Sequence, residues 1–257
     1  MKSLSSKQKV QEEEYRFPYH YLDLYSDFYS RVLYRNNYSR MKIVKRLLQP
    51  FEGQSILDGA CGDGRFCYEL NGENVHIVGV DYSQTAIAFA KAFNKSGEFY
   101  VADLTELNLD RKFDCVVLME TLEHIPPDMI PKVILNLWRV LKDDERLIVT
   151  VPTIKLPVTD KHYQHFTMDK LEKLFTPLFV PIEKIGHCKT GRARTYWCLL
   201  QRCAILTWWL RKKVPGIRRF LNYVDNYYDN KIECCSLEEA GGFIVVFKKN
   251  PDGSLSR

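Results

Sequence analysis

Apolar residues fall in two rhythms along this 257-residue chain. Short runs rich in Ile, Val, Leu and Phe occupy 55–58, 76–81, 98–101, 114–119 and 146–151, and read as strands. Between them, 65–70, 83–94 and 129–141 read as helices, with Ser83 as an N-cap. Short apolar strands alternating with amphipathic helices predict an α/β fold, a doubly wound parallel sheet covered on both faces. Upstream, 21–33 and 38–48 read as helices. In the second, Met41, Val44, Leu47 and Leu48 follow the i, i+3, i+6, i+7 stripe of a core-facing side. Residues 8–14 are polar and are expected to fray. Downstream, Thr167 caps a helix with Leu171, Leu174 and Phe175 on its apolar side; 178–185 reads as a sixth strand and 242–248 as a seventh, antiparallel one. The division is a helical cover at 1–50, an α/β core at 51–187, an insert at 188–240, the last strand at 241–249 and a disordered tail at 250–257.

The first strand runs into Asp58-Gly59-Ala60-Cys61-Gly62-Asp63-Gly64, and a helix follows from Arg65. Strand, glycine loop and helix N-terminus make a nucleotide-site layout, because glycines let a ligand approach the backbone and the helix end offers free N–H groups. A dinucleotide loop wants Gly-x-Gly-x-x-Gly; counted from Gly62 its last glycine falls at Cys67. A nicotinamide oxidoreductase is disfavoured on that ground. Asp81 ends the second strand, 23 residues after Asp58, where an acid accepts hydrogen bonds from ribose hydroxyls. Ligands of such sheets bind outside the carboxyl ends of the strands, so Asp58, Asp81, Asp103 and Met119-Glu120 converge on one crevice.

Five ordered stretches carry a family resemblance: Asp58-x-Ala60-x-Gly62-x-Gly64, Val75–Asp81, Val101-Ala102-Asp103-Leu104, Phe113–Pro126 and Leu141–Pro152. Together they resemble the class I S-adenosylmethionine-dependent methyltransferases, strongly from 54 to 152 and more loosely over 161–185; within that family the nearest pattern is the ubiquinone-biosynthesis O-methyltransferase-like, small-molecule group. Glycine is usual there at the place of Ala60. The resemblance implies a Rossmann-like, seven-stranded, mostly parallel sheet with an N-terminal helical cover. It implies S-adenosyl-L-methionine as cofactor, held by Asp58, Gly59, Ala60, Gly62 and Gly64 of the loop, by Asp81 and Tyr82, by Asp103 and Leu104 near the adenine, and by Met119 and Glu120. In the family a tight hairpin separates the last two strands; here more than fifty residues intervene.

Methyl transfer to oxygen needs the acceptor's proton removed. An imidazole titrates near neutral pH, which makes His124 the first candidate base, with His162 and His165 next. Glu120-x-x-Glu123-His124 also resembles a divalent-metal cluster of the ubiquinone-biosynthesis enzymes, although no metal is assigned here. Tyr19, His20, Tyr25 and Tyr34 are candidates for an acceptor pocket.

Eight cysteines are scattered without a Cys-x-x-Cys pair, which argues against zinc and against a disulfide framework and for reduced thiols in a cytoplasmic protein. No apolar run follows the first lysines, so no secretory signal is expected, and no stretch reaches the length of a membrane span. The net charge of +5 is uneven: ten Lys and Arg face three acids over 188–233, +7, which leaves −2 for the rest. That insert holds Trp197, Trp208 and Trp209 in an apolar helix at 195–214, then Arg211-Lys212-Lys213 and Arg218-Arg219. Trp beside Lys and Arg suits peripheral membrane contact through 195–220 at the inner membrane surface. The expected acceptor is a small molecule or one linked to lipid or glycan, methylated on oxygen. RNA methylation through the basic insert is the alternative, without a recognised RNA-binding module to support it, and a silent cofactor-binding module is a third reading.

Overall fold

The computed structural model describes residues 5–253. One eight-stranded sheet runs through it in the order β3-β2-β1-β4-β5-β8-β6-β7. The parallel half is β1 (Ser55–Gly59), β2 (His76–Asp81), β3 (Glu98–Val101), β4 (Phe113–Met119) and β5 (Leu141–Pro152). β8 (Ala240–Lys249) enters antiparallel beside β5, and β6 (Phe179–Lys189) pairs antiparallel with β8. The eighth strand, absent from the sequence reading, is β7 (Cys234–Cys235), two residues of the insert that pair with Gly186 and His187. It is too short to carry a period-two pattern.

Helices cover both faces. α3 (Arg65–Glu69), α4 (Gln84–Phe93), α5 (Ile130–Val140) and α6 (Met168–Phe175) belong to the core. The caps read from the sequence form: Ser83 Oγ accepts from Ala86 N and Thr167 Oγ1 from Lys170 N. α2 (Arg35–Leu48) buries Met41, Val44, Leu47 and Leu48 against the sheet face that carries Ile56, Ile77, Ile148 and Ile244, and Arg146 of β5 donates to the carbonyls of Leu47 and Leu48. The core on the other face is built from β4, β5, α5 and α6, with Leu118, Leu137, Phe166 and Phe175 fully enclosed.

Three stretches depart from expectation. Residues 8–14 do not fray: α1 (Ser6–Glu14) is a helix whose first turn is closed by a capping box between Ser5 and Gln8. Residues 21–33 are not one helix but a 3₁₀ turn at Tyr19–Leu24 and a π turn at Tyr29–Leu33. A continuous helix would set Tyr21 and Phe28 on one side, seven residues apart; instead Tyr21 stacks on Phe93 of α4, centroids 4.0 Å apart, and Phe28 packs on Trp208, at 5.2 Å. The start of the tail is ordered: Asn250 N donates to Leu178 O, and Trp138 Nε1 donates to Asn250 O. The rest of the tail, 254–257, lies outside the described residues.

The insert folds as a helical pair, α7 (Arg192–Thr207) and α8 (Pro215–Lys231), with Trp208–Leu210 as a 3₁₀ turn between them. It packs on the N-terminal cover through Val32, Leu200, Ala204, Trp208, Leu221 and Val224. Among the described residues no helix is long and apolar enough to cross a membrane.

Candidate active site

Two adjoining cavities open at the carboxyl ends of β1, β2 and β4. The first, about 280 Å³, has Ala60, Asp81, Tyr82, Asp103 and Leu104 on its walls. The second, about 300 Å³, has Asp58, Gly62, Met119, Tyr19, Tyr34 and His162. Tyr15, Ala60, Glu120 and His124 line both, so they mark the junction.

Loop geometry explains the residues of the first motif. Gly62 sits at φ +55, and a Cβ there would lie 2.7 Å from the Tyr15 hydroxyl. Gly64 sits at φ +78, where a Cβ would strike Ala90 and Asn94 of the α4 end, both at 2.8 Å. Gly64 therefore serves close packing of loop on helix and, like Gly59, lines neither cavity. Ala60 stands at φ 61, the left-handed region, which costs an L-residue about 1–2 kcal/mol. Glu120, at φ 47, is a second such residue; its backbone N donates to Thr150 O and Oγ1. Strained backbone of this kind clusters at functional sites.

Asp81 is buried and accepts two backbone N–H groups, from Gly62 to Oδ2 at 2.9 Å and from Ser83 to Oδ1 at 2.8 Å. Burial pushes its carboxyl up to about 6 despite those bonds. Asp58 is likewise buried and pushed up to about 7, with the Cys67 thiol donating to it at 3.3 Å. Two buried carboxylates at strand ends fit the proposed cofactor: hydroxyl donors satisfy Asp81, and a cationic group near Asp58 offsets a charge that burial penalises. Asp103 spends Oδ1 on its own turn, accepting from Thr105 N and Oγ1.

The imidazoles gather at the second cavity. His165 Nδ1 bonds Leu156 O at 3.0 Å, and a carbonyl only accepts, so that nitrogen carries the proton. With neutral rings, His165 Nε2 then accepts from His162 Nδ1, 2.8 Å away, leaving His162 Nε2 bare. His124 Nδ1 donates to Lys161 O at 3.3 Å, leaving its Nε2 bare and 3.9 Å from Glu123 Oε1. Burial lowers His124 to about 3 and His162 to about 4, helped by the neighbouring imidazoles and Lys161. Burial drives Glu123 the other way, well above the usual carboxyl range, and its Oε2 has no hydrogen-bond partner. One donor atom each from Glu123, His124 and His162 lie within 4.8 Å of one another. Glu120 is not in that group; Arg40 of α2 holds its Oε2 at 3.1 Å and Thr150 its Oε1 at 3.0 Å. His165 lines neither cavity and reaches the site only through His162. Of the four aromatic candidates upstream, Tyr19, His20 and Tyr34 line the second cavity, but Tyr25, which follows the Tyr19–Leu24 turn, does not and is 89% exposed.

Sequence reading missed the α1 side of the site. Gln8, Gln11 and Tyr15 roof the first cavity, pinned by Tyr82 Oη donating to Gln8 O, by Lys7 Nζ donating to Asp160 and His162 carbonyls, and by the Lys161–Glu14 pair at 2.8 Å. The Ser5-x-x-Gln8 capping box was the one signal that could have found it.

Comparison with known proteins agrees with this geometry. The methyltransferase domain family matches residues 56–144. A ubiquinone biosynthesis O-methyltransferase of Bartonella quintana is 36% identical over 83 residues, 30% of this chain and 34% of that protein. One from Rickettsia bellii is 27% identical over 119 residues, 43% of this chain and 49% of that protein. The chain thus spans a third to a half of the length of these curated relatives. Among solved structures, N-methyltransferase NodS of Bradyrhizobium japonicum in complex with S-adenosyl-L-homocysteine superposes with a TM-score of 0.62 over 96% of this chain and all of that one, at 12% identity. The [4+2]-cyclase SpnF superposes with a TM-score of 0.56 over 82% of this chain and 80% of that one, at 19% identity. At such identities the likeness is one of fold, and a fold hosts more than one chemistry.

Proposed function

We propose that this chain, whose core is a class I S-adenosylmethionine-dependent methyltransferase domain, transfers a methyl group to an oxygen of a small-molecule acceptor, free or linked to lipid or glycan. The observation that carries the reading is the junction of the two cavities, where His124 stands between a pocket walled by Asp81 and Asp103 and one walled by aromatic rings. S-adenosylmethionine, when bound, supplies the activated methyl group, so the protein's work is positioning, exclusion of water and proton removal. Asp81 holds the ribose hydroxyls, and Tyr82, Asp103 and Leu104 flank the base. Asp58, Ala60 and Gly62 face the methionine end. Tyr19 and Tyr34 bracket the acceptor.

His124 Nε2 takes the acceptor's proton. An imidazole lowered to about 3 is unprotonated throughout the neutral range, so its lone pair is always available. It is also a weak base, so it acts by position, its bare Nε2 standing at the junction of the two cavities. The test is labelled S-adenosylmethionine with cell extract separated into small-molecule, lipid and RNA fractions. Label is expected in the first two. His124→Ala should cut kcat by about 10²–10⁴ while cofactor affinity stays near wild type. Equal loss of both would reduce His124 to a loop-shaping residue.

A second reading is favoured by the grouping of Glu123, His124 and His162: a divalent cation there would bind a catechol-like acceptor. Dialysis against EDTA decides. Turnover unchanged by chelation leaves the bare imidazole as the base; turnover lost and restored by one cation assigns the three side chains to metal.

A further inference from the structure

The insert sorts its apolar side chains into two sets. Trp197, Leu200, Ala204 and Trp208 point inward, onto the N-terminal cover and α8. Leu199, Leu206, Trp209 and Val214 point outward and are 56%, 73%, 65% and 42% exposed. Along α7 the exposed Tyr196, Leu199, Cys203 and Leu206 follow one another at steps of three and four, which is one stripe of a helix face. The Trp209 indole N–H donates to Leu206 O at 3.0 Å, so its polar group is satisfied within the chain while its ring stays outside.

Charge is sorted the same way. The acids of α8 and its end are used toward the N-terminal cover: Asp225 pairs with Arg31, Asp229 with Arg35, and Glu233 accepts from Ser39. Lys189 pairs with Glu239, but the cations of α7 and the start of α8 are left over. Among the described residues Arg202, Lys212, Lys213, Arg218 and Arg219 make no ion pair, and all five are exposed. Lys212 and Lys213 sit between α7 and α8 beside Trp209 and Val214, and Arg218 and Arg219 follow in the first turns of α8.

We infer that this face of the insert docks on an anionic phospholipid bilayer. Exposed aliphatic side chains and a tryptophan, rimmed by unpaired Lys and Arg with no acid among them, match an interface that is apolar below and negative at its surface. A single-stranded RNA site would use the cations and stack bases on rings, but it gives Leu199, Leu206 and Val214 nothing to do. The other face of the same helices grips Phe28–Arg35 of the cover, whose Tyr34 lines the acceptor cavity, so a docked protein presents that cavity close to lipid-borne acceptors.

Sedimentation of the full chain with vesicles tests this, comparing phosphatidylcholine alone with phosphatidylcholine containing phosphatidylglycerol, at low and high salt. Binding is read without cofactor or acceptor, so its failure leaves the methyl-transfer reading untouched. Wild type should bind the anionic vesicles only, and salt should weaken binding. The quadruple variant Lys212→Gln, Lys213→Gln, Arg218→Gln, Arg219→Gln should bind on the order of 10²–10³-fold more weakly at low salt. Leu206→Ser with Trp209→Ser should bind about tenfold more weakly or worse while keeping the wild-type circular dichroism and melting midpoint. Wild-type emission should shift to the blue on anionic vesicles, and Trp209→Phe should abolish the shift. Wild type remaining in the supernatant overturns the inference. So does either variant binding like wild type, an RNA oligonucleotide binding where vesicles do not, or a dimer that buries this face and ignores vesicles.

Discussion

Asp81 sets the residue-scale behaviour of the cofactor site. Its free carboxyl is held up to about 6 by burial, and its ionised form is the stronger acceptor for ribose hydroxyls. Binding therefore favours release of a proton wherever the free group is protonated. Affinity for S-adenosylhomocysteine should be full above about pH 7 and fall as the pH drops, with Asp81 alone contributing up to about tenfold per pH unit below pH 6. Asp58, raised to about 7, adds to the same trend. Calorimetry in buffers of different ionisation enthalpy reads the released proton directly; affinity flat between about pH 5 and pH 8 would mean the carboxyls stay protonated around the ligand. The strand-end acids were legible in the sequence because strand, acid and glycine loop are local patterns. The tautomers of His124, His162 and His165 were not: they depend on the carbonyls of Lys161 and Leu156, which only the fold brings to those rings.

At the scale of elements, α1 departs furthest from what hydrophobic patterning can reveal. It buries no side chain, so it has no stripe to read, and it is held by its cap and by polar bonds to the loop at 160–163 and to Tyr82. A roof held this way opens at low cost. Ser5→Ala should remove about 1 kcal/mol of helix stability. Amide exchange across 6–14 should quicken in the variant and slow in both proteins when S-adenosylhomocysteine is added. Exchange indifferent to the ligand would separate α1 from the cofactor. The single helix predicted over 21–33 fails for a related reason: Tyr21 and Phe28 answer to different neighbours, Phe93 and Trp208, both distant in sequence. The core helices and strands were legible because each buries its own apolar face against the sheet.

On the scale of the whole molecule, the insert braces the N-terminal cover against the sheet edge. The paired tryptophans at its tip look alike in sequence and differ in environment: Trp208 is 8% exposed and Trp209 is 65% exposed. Trp208→Ala should cost about 3–5 kcal/mol and lower the melting midpoint, whereas Trp209→Ala should stay within about 0.5 kcal/mol of wild type. Similar losses from both would mean the helical pair sits the other way round. Cover, core and insert meet at one cofactor crevice, and the measurement that tests this most directly is titration calorimetry of the full chain with S-adenosylmethionine, S-adenosylhomocysteine and NAD. Wild type should bind the two sulfur ligands at one site and NAD not at all. Asp81→Ala should weaken both by about 1–3 kcal/mol, the cost of unpairing buried hydroxyls. Tight NAD binding with no heat from S-adenosylmethionine would contradict the account.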